Sequence, residues 1–171
     1  MSLTGGHWAW TASLRFGYML IFLILILLVT QGKKALIEVK NIFITGSGKA
    51  FIAGADIKFF IDNIKSSSIE KIVKFTKYCQ SVYEKIDNSS KKVIAMLNGL
   101  TLGGGLELAL CADIILALPN AVLAYPETGI GIYPGLGGTQ RTQKRIGKEL
   151  TKYMVFTGDM LFAADAFKIG L

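Results

Sequence analysis

The chain alternates between segments with the hydrophobic period of a strand and segments with that of a helix. Residues 39–45 alternate and are rich in β-branched side chains, which predicts a strand. Apolar side chains then recur every three or four residues from Ile69 to Ile86, which predicts an amphipathic helix. Residues 93–97 form a short apolar run of the kind found in buried parallel strands, and residues 114–117 predict a third strand. Strands that alternate with helices predict an α/β fold.

Glycine and serine mark the boundaries between these segments. Glycines 46 and 48 predict a turn after the first strand. Ser67 is followed three residues later by Glu70, which predicts a capping box at the start of the long helix. The three glycines 103–105 end a strand and begin a helix that we expect to reach about Cys111. Two more helices are predicted over residues 138–146 and 149–157.

The first 32 residues differ from the rest of the chain. Residues 1–32 hold one charged side chain, Arg15, and nearly every residue from 16 to 29 is aliphatic or aromatic. This run is a little shorter than the roughly 20 residues of a transmembrane helix, and Lys33 and Lys34 follow it. Three interpretations stay open: a membrane anchor or uncleaved signal, a buried core helix, or a wrong or truncated start of the reading frame.

Composition narrows the chemistry that the chain can perform. The net charge is +7, but Lys and Arg are scattered and no nucleic-acid motif is present, so we expect a small anionic ligand and no nucleic acid. Cys79, Cys111 and the single histidine His7 have no zinc-site spacing, so we expect no metal. One histidine in an atypical segment also argues against Ser-His or Cys-His catalysis. The chemistry must therefore use carboxylates, backbone amides or lysines.

The segment LGGGLEL at residues 102–108 is the first candidate for such chemistry. Three glycines where a strand leads into a helix let a ligand carbonyl approach the backbone amides, where the helix N-terminus adds positive charge. Such a site can stabilise an oxyanion. Glu107 lies one helical turn after Gly104 and points to the same side. The alternative is tight helix–strand packing with a surface glutamate.

Two other segments are weak when taken alone. FIAGADI at residues 51–57 bends around small residues, and Asp56 is suited to capping a following helix. Residues 125–141 hold a second carboxylate, Glu127, and another glycine-rich helix start.

Together, the order and spacing of these segments resemble the enoyl-CoA hydratase/isomerase, or crotonase, family. Residues 48–56, GKAFIAGAD, match one block of that family, and residues 98–107, NGLTLGGGLE, match a second. Residues 126–141, PETGIGIYPGLGGTQR, match a third, and 157–159 with 163–171 follow the next stretch. The resemblance implies a crotonase-type α/β superhelix built from stacked β-β-α turns.

The resemblance also implies the roles of particular residues. The amides of Ala55 and Gly104 would form the oxyanion hole for a thioester carbonyl. Glu107 and Glu127 would be the catalytic pair, with Glu107 polarising a water as base and Glu127 delivering a proton to the α-carbon. The amide of Gly135 would lie beside that water.

The same resemblance implies the ligand and the reaction. Ala53, Asp56 and Ile57 would contact CoA, with no separate cofactor, since the CoA thioester is the substrate. The implied reaction is the syn-addition of water to trans-2-enoyl-CoA to give 3-hydroxyacyl-CoA, in fatty-acid β-oxidation or related acyl-CoA metabolism. The alternatives are an isomerase or the hydratase part of a multifunctional β-oxidation enzyme, and, in another class, a non-catalytic fragment.

The resemblance does not cover the whole of a family domain. It implies a division into residues 1–32, which do not match, and a partial catalytic core at 33–171. We expect trimers or hexamers from the complete family domain, and contact with a membrane only through residues 16–29. Because CoA thioesters are made and used inside cells, we expect a cytoplasmic protein, and we expect residues 16–29 not to act as an export signal.

Overall fold

The computed structural model describes residues 40–171. The strands are β1 (Asn41–Thr45), β2 (Ala50–Ala53), β3 (Lys92–Leu97), β4 (Leu100–Leu102), β5 (Ile114–Ala117), β6 (Val122–Ala124) and β7 (Leu161–Phe162). The helices are α1 (Ile57–Lys65), α2 (Ile69–Asp87), α3 (Gly104–Ala109), α4 (Gly138–Ile146), α5 (Lys148–Thr157) and α6 (Ala163–Ile169), with a 3₁₀ helix at Pro126–Ile130. The apolar run at residues 16–29 lies outside the described residues, so its three interpretations stay predictions.

Successive strands alternate between two sheets. Strands β1, β3 and β5 form a parallel sheet in that order, and β2, β4, β6 and β7 form a second sheet in which only β7 is antiparallel. Each pair of strands is followed by helix, so residues 40–171 make three β-β-α turns that stack on one another. This is the α/β repeat that the resemblance implies.

Asn98 holds two neighbouring turns of this repeat together. Its Oδ1 accepts a hydrogen bond from the Gly46 amide at 3.0 Å, and its Nδ2 donates to the Gly48 and Ala50 carbonyl oxygens at 3.0 and 3.1 Å. An asparagine side chain that donates and accepts can bridge backbone groups of both kinds. The asparagine of the second sequence block is therefore structural.

The core lies between the two sheets and under α3. The inward-facing residues of β3, namely Val93, Ala95 and Leu97, are buried, while Met96 on the opposite face is 40% exposed. The expectation that residues 93–97 are buried on both faces is therefore wrong for one face, although the strand is parallel to both neighbours as predicted.

The predicted capping box at Ser67 is wrong. Helix α2 begins at Ile69 with Ser68 as its N-cap, and the Ser68 side chain makes no capping bond. Ser67 instead adopts a left-handed conformation, with φ of 54°, and its amide bonds to the Ile64 carbonyl. Ser67 thus belongs to the end of helix α1, which periodicity had not revealed, and it does not cap α2.

Other boundaries follow the sequence closely. The strand at Ile114–Ala117 and the helix at Gly138–Ile146 have the predicted bounds, and the next helix, Lys148–Thr157, begins one residue early. The helix after the three glycines ends at Ala109, short of Cys111. Residues 40–171 contain no helix that is long and apolar enough to cross a membrane.

Candidate active site

Three parallel strands of the second sheet end side by side. Ala53 of β2 pairs with Leu102 of β4, which pairs with Ala124 of β6, and each is the last residue of its strand. Parallel strands have their carboxyl ends at the same edge of a sheet. Ala55 and Gly104 each follow their strand by two residues, so both candidate amides lie at this edge on neighbouring strands.

The backbone turns sharply immediately before both candidate amides. Gly54 and Gly103 have positive φ angles of 96° and 53°, values that favour glycine. The Gly103 amide also donates to the Ala124 carbonyl at 2.9 Å, which ties this turn to β6.

Glu107 is buried in α3 and is held by two backbone amides. It is 1% exposed, and its Oε1 accepts hydrogen bonds from the Leu136 and Gly138 amides at 2.7 and 2.8 Å. Burial raises the pKa of Glu107 above its usual value, and the two amides and the Arg141 charge offset only part of this rise. Both amides bind Oε1, which leaves the lone pairs of Oε2 for a water or a ligand.

Glu127 lies on the 3₁₀ helix beside the glycine turn. A Cβ placed on Gly103 would come within 2.6 Å of its Oε1, so only glycine leaves room for this carboxyl group. Its Oε2 is buried and has no hydrogen-bond partner among the described residues. Burial raises the pKa of Glu127 to about 7, its own backbone amide opposes this, and the charge of Glu107 adds to it. A carboxyl group with that pKa is half protonated near neutrality.

The structure therefore brings several predicted residues together. Glu107 and Glu127 interact electrostatically, and each packs against a glycine: Glu127 against Gly103 and Glu107 against Gly138. Gly135 is half-buried, and the residue after it supplies one of the amides on Glu107. These placements agree with the predicted roles, which stay predictions.

The three predicted CoA contacts lie along the neighbouring turn. Ala53 ends β2, and Ile57, which is 49% exposed, begins α1. The Asp56 side chain accepts a hydrogen bond from the Lys58 amide at 2.9 Å and caps α1, as the sequence predicts. Its carboxylate and its carbonyl oxygen, which accepts from the Phe59 amide at 3.1 Å, are both engaged with the helix. The exposed Ile57 is left for a ligand.

Residues that sequence patterns did not single out complete the site. The Tyr83 hydroxyl donates to the Gly104 carbonyl at 2.8 Å, and the Gln80 Nε2 donates to the Gly135 carbonyl at 2.7 Å. Arg141 Nη1 donates to the Leu136 carbonyl at 2.9 Å. Tyr83 lies on the predicted apolar face of α2. In the sequence, its hydroxyl group among apolar neighbours is the one feature that indicates a polar contact.

The described residues do not suggest a metal centre. Among residues 40–171, no group of three His, Cys, Asp or Glu side chains lies close enough to hold an ion. The arrangement offers instead two carboxyl groups and backbone amides.

The raised pKa of Glu127 predicts how stability depends on pH. An unfolded glutamate has a pKa of about 4.3, so between about pH 4.5 and 7 the folded state holds a proton that the unfolded state has lost, and stability falls as pH rises. Glu127→Gln, which removes this titration, should raise the free energy of unfolding by on the order of 1 kcal/mol at pH 8, after allowance for partial exposure.

Urea unfolding of both chains at pH 4 and pH 8 measures this effect. The difference in the free energy of unfolding between wild type and Glu127→Gln should be larger at pH 8 than at pH 4. At pH 4 the glutamate is mostly protonated in both the folded and the unfolded protein. A difference that is the same at both pH values would show that the folded pKa of Glu127 is ordinary.

Comparisons with known proteins agree with this fold. Residues 33–171 match the family model described as enoyl-CoA hydratase/isomerase. The chain is 44% identical over 134 residues to the crotonyl-CoA hydratase of Syntrophomonas wolfei, covering 78% of this chain and 50% of that protein. It is also 44% identical over 132 residues to the mitochondrial enoyl-CoA hydratase of Pongo abelii, covering 76% of this chain and 43% of that protein.

Solved structures give the same result. The enoyl-CoA hydratase of Thermoplasma volcanium superposes with a TM-score of 0.71 and 39% identity, covering 84% of this chain and 56% of that one. The enoyl-CoA hydratase of Bacillus anthracis superposes with a TM-score of 0.70 and 35% identity, covering 77% of this chain and 50% of that one. The fold is thus the crotonase-type α/β superhelix. The chain belongs to the enoyl-CoA hydratase/isomerase family, and it spans about half the length of the curated relatives it matches.

A second family model matches the other end of the chain. Residues 1–54 match a model described as a putative multidrug resistance efflux transporter. Most of this match lies on residues that the structure does not describe, and it covers under half of the chain. The interpretations of the apolar segment therefore stay open.

Proposed function

We propose that this protein hydrates trans-2-enoyl-CoA to 3-hydroxyacyl-CoA. The observation that carries the proposal is the pairing of a buried carboxyl group, Glu107, with a half-buried one, Glu127, in unequal surroundings. Glu107 accepts two amide hydrogen bonds, which stabilise its charged form. The Glu127 Oε2 has no hydrogen-bond partner within residues 40–171, and the pKa of Glu127 is raised to about 7. One group is suited to take a proton and the other to give one.

The sequence of bond changes follows from this division. The thioester carbonyl accepts hydrogen bonds from the Ala55 and Gly104 amides, so that negative charge develops on its oxygen near fixed dipoles. Glu107 takes a proton from water as the water oxygen bonds to the β-carbon. The α,β double bond opens as this bond forms, and its electrons pass to the carbonyl oxygen as an enolate. The α-carbon then takes its proton from Glu127 and the carbonyl re-forms, so that one water has been added. Transfer of the proton from Glu107 to Glu127, directly or through solvent, restores both groups.

The remaining features of the proposal follow from the substrate. The turn at Ala53, Asp56 and Ile57 contacts the CoA portion, and the substrate's own CoA replaces any separate cofactor. The Gly135 amide lies beside the attacking water. Since CoA thioesters are intracellular, the protein acts in the cytoplasm in β-oxidation or a related acyl-CoA pathway, and the complete domain forms trimers or hexamers.

The test uses the purified chain and crotonyl-CoA, with loss of the enoyl absorbance as the signal. We expect hydration above the uncatalysed rate and 3-hydroxybutyryl-CoA as the product. Glu149→Gln is the matched control, because Glu149 is 80% exposed and lies on α5, and it should hydrate like wild type. If the folded chain moves the double bond of a 3-enoyl-CoA and adds no water, the hydratase proposal fails.

A further inference from the structure

One face of helix α2 contacts both halves of the candidate site. Gln80, Tyr83 and Asp87 are spaced at i, i+3 and i+7, so they lie on the same side of the helix. Gln80 contacts Gly135, Tyr83 contacts Gly104, and Asp87 Oδ2 binds Arg141 Nε at 3.2 Å. We propose that this face of α2 is the positioning element of the site, with Gln80 setting the Leu136 amide on Glu107 and Tyr83 setting the Gly104 peptide.

The Gln80 contact reaches Glu107 through a single peptide group. Gln80 Nε2 donates to the Gly135 carbonyl, and the N–H of that same peptide, which belongs to Leu136, donates to Glu107 Oε1 at 2.7 Å. A hydrogen bond accepted by a peptide carbonyl polarises the group and strengthens its N–H as a donor. Gln80 therefore both orients and strengthens a bond that stabilises the charged form of Glu107.

The loop that carries this peptide needs such support. Gly131 and Gly137 have positive φ angles of 75° and 99°, and Gly135 has no side chain to pack. Glycine gives the backbone the most conformational freedom. The loop is attached to α2 at a second point, because Arg141 joins the Leu136 carbonyl to Asp87.

The Tyr83 contact fixes a residue that packing leaves loose. A Cβ on Gly105 would overlap the Ile52 backbone, so that glycine is held by contact, whereas a Cβ on Gly104 would meet nothing closer than 3.5 Å. Gly104 thus has space around it and no side chain. The bond from the half-buried Tyr83 to the Gly104 carbonyl fixes the peptide group that follows Gly104. It thereby limits rotation of this residue and restricts the direction of its N–H.

Hydrogen–deuterium exchange tests the positioning directly and needs no activity. In Gln80→Met, amides in residues 131–140 should exchange about 10-fold faster, and in Tyr83→Phe the same should hold for residues 100–108. The matched controls are Gln143→Met on the exposed side of α4 and Tyr78→Phe, whose side chain is 68% exposed on α2. If the variants exchange like their controls in these segments, the proposal is overturned.

Kinetics give a second readout, which rests on the proposed hydratase function. Tyr83→Phe should lower kcat about 10-fold with little change in KM, because a misaimed amide loses transition-state stabilisation. Gln80→Met should move the acid limb of the kcat/KM profile to higher pH, because Glu107 loses support for its charged form. The titratable and charged groups that interact with Glu107 are Arg141, Glu127, Tyr83, Tyr125, Cys79 and Cys111, and all are unchanged in Gln80→Met.

The two proposals fail in different ways. A folded wild-type chain that hydrates no enoyl-CoA refutes the hydratase function, while faster exchange in Gln80→Met and Tyr83→Phe still supports positioning by α2. If the wild type hydrates enoyl-CoA and both variants keep its kcat, pH profile and exchange rates, the positioning role of α2 is refuted and the hydratase function is not. Gln80 is exposed and Tyr83→Phe keeps the aromatic ring, so both variants should fold.

Discussion

Glu127→Gln is expected to lower the turnover of crotonyl-CoA by about 10²- to 10⁴-fold, the usual cost of removing one acid–base group. Glutamine keeps the shape of the side chain but has no acidic proton to give to the α-carbon. The group fits this role because its pKa of about 7 leaves it partly protonated near neutral pH. Activity in wild type should fall as pH rises above about 7, because the donor loses its proton, and this decline should be missing from the residual activity of Glu127→Gln.

Binding distinguishes this effect from general damage to the site. Affinity for a saturated acyl-CoA, which cannot react, should stay near the wild-type value in Glu127→Gln, because the proposed CoA contacts lie on the turn after β2. Glu149→Gln makes the same substitution at an exposed position and should leave turnover unchanged. An unchanged turnover in Glu127→Gln would show that Glu127 is not the proton donor.

Gly105→Ala is expected to destabilise the protein by about 3 kcal/mol, at the upper end of the usual cost of overpacking. A Cβ at this position would overlap the carbonyl oxygen of Ile52 and lie 2.8 Å from the Ile52 Cβ. Because the obstacle is largely backbone, β2 or α3 must move, and that would separate the Ala55 and Gly104 amides. The loss opposes helix propensity, which by itself favours alanine over glycine by about 1 kcal/mol.

Thermal and urea unfolding measure this loss, and Gly129→Ala is the matched control. A Cβ on Gly129 would meet nothing within 4 Å, and this glycine does not have a positive φ angle. Its substitution should change the free energy of unfolding by less than about 0.5 kcal/mol. Equal stability of Gly105→Ala and Gly129→Ala would mean that β2 and α3 are less closely packed than the structure shows.

Local patterns in the sequence were sufficient where one segment decides its own conformation. The run at residues 114–117 is apolar and rich in β-branched side chains, and it forms a strand with the predicted ends. The helix Gly138–Ile146 has the predicted ends as well, and Asp56 caps α1 as expected. The short strands β2, β4, β6 and β7 were not predicted, because two to four residues are too few to show a period.

The serines before α2 show where local patterns mislead. The spacing of Ser67 and Glu70 satisfies a capping box, but Ser67 is required in a left-handed conformation at the end of α1. Both uses compete for the same backbone, and the connection between α1 and α2 decides between them. A local sequence pattern of this kind does not indicate whether the residue belongs to the helix before it or to the helix after it.

The sequence by itself determined the α/β class and the three motif blocks, because each depends on short-range spacing or residue type. The resemblance of those blocks to the family then indicated the candidate residues Glu107, Glu127, Ala55 and Gly104. Only the tertiary structure decided that Glu107 is held by amides 29 and 31 residues away, and that the Oε2 of Glu127 is buried without a partner among the described residues. It also placed Gln80 and Tyr83 against Gly135 and Gly104, 55 and 21 residues away. Burial and long-range hydrogen bonds set the pKa of a carboxyl group, and both arise only when distant segments pack together.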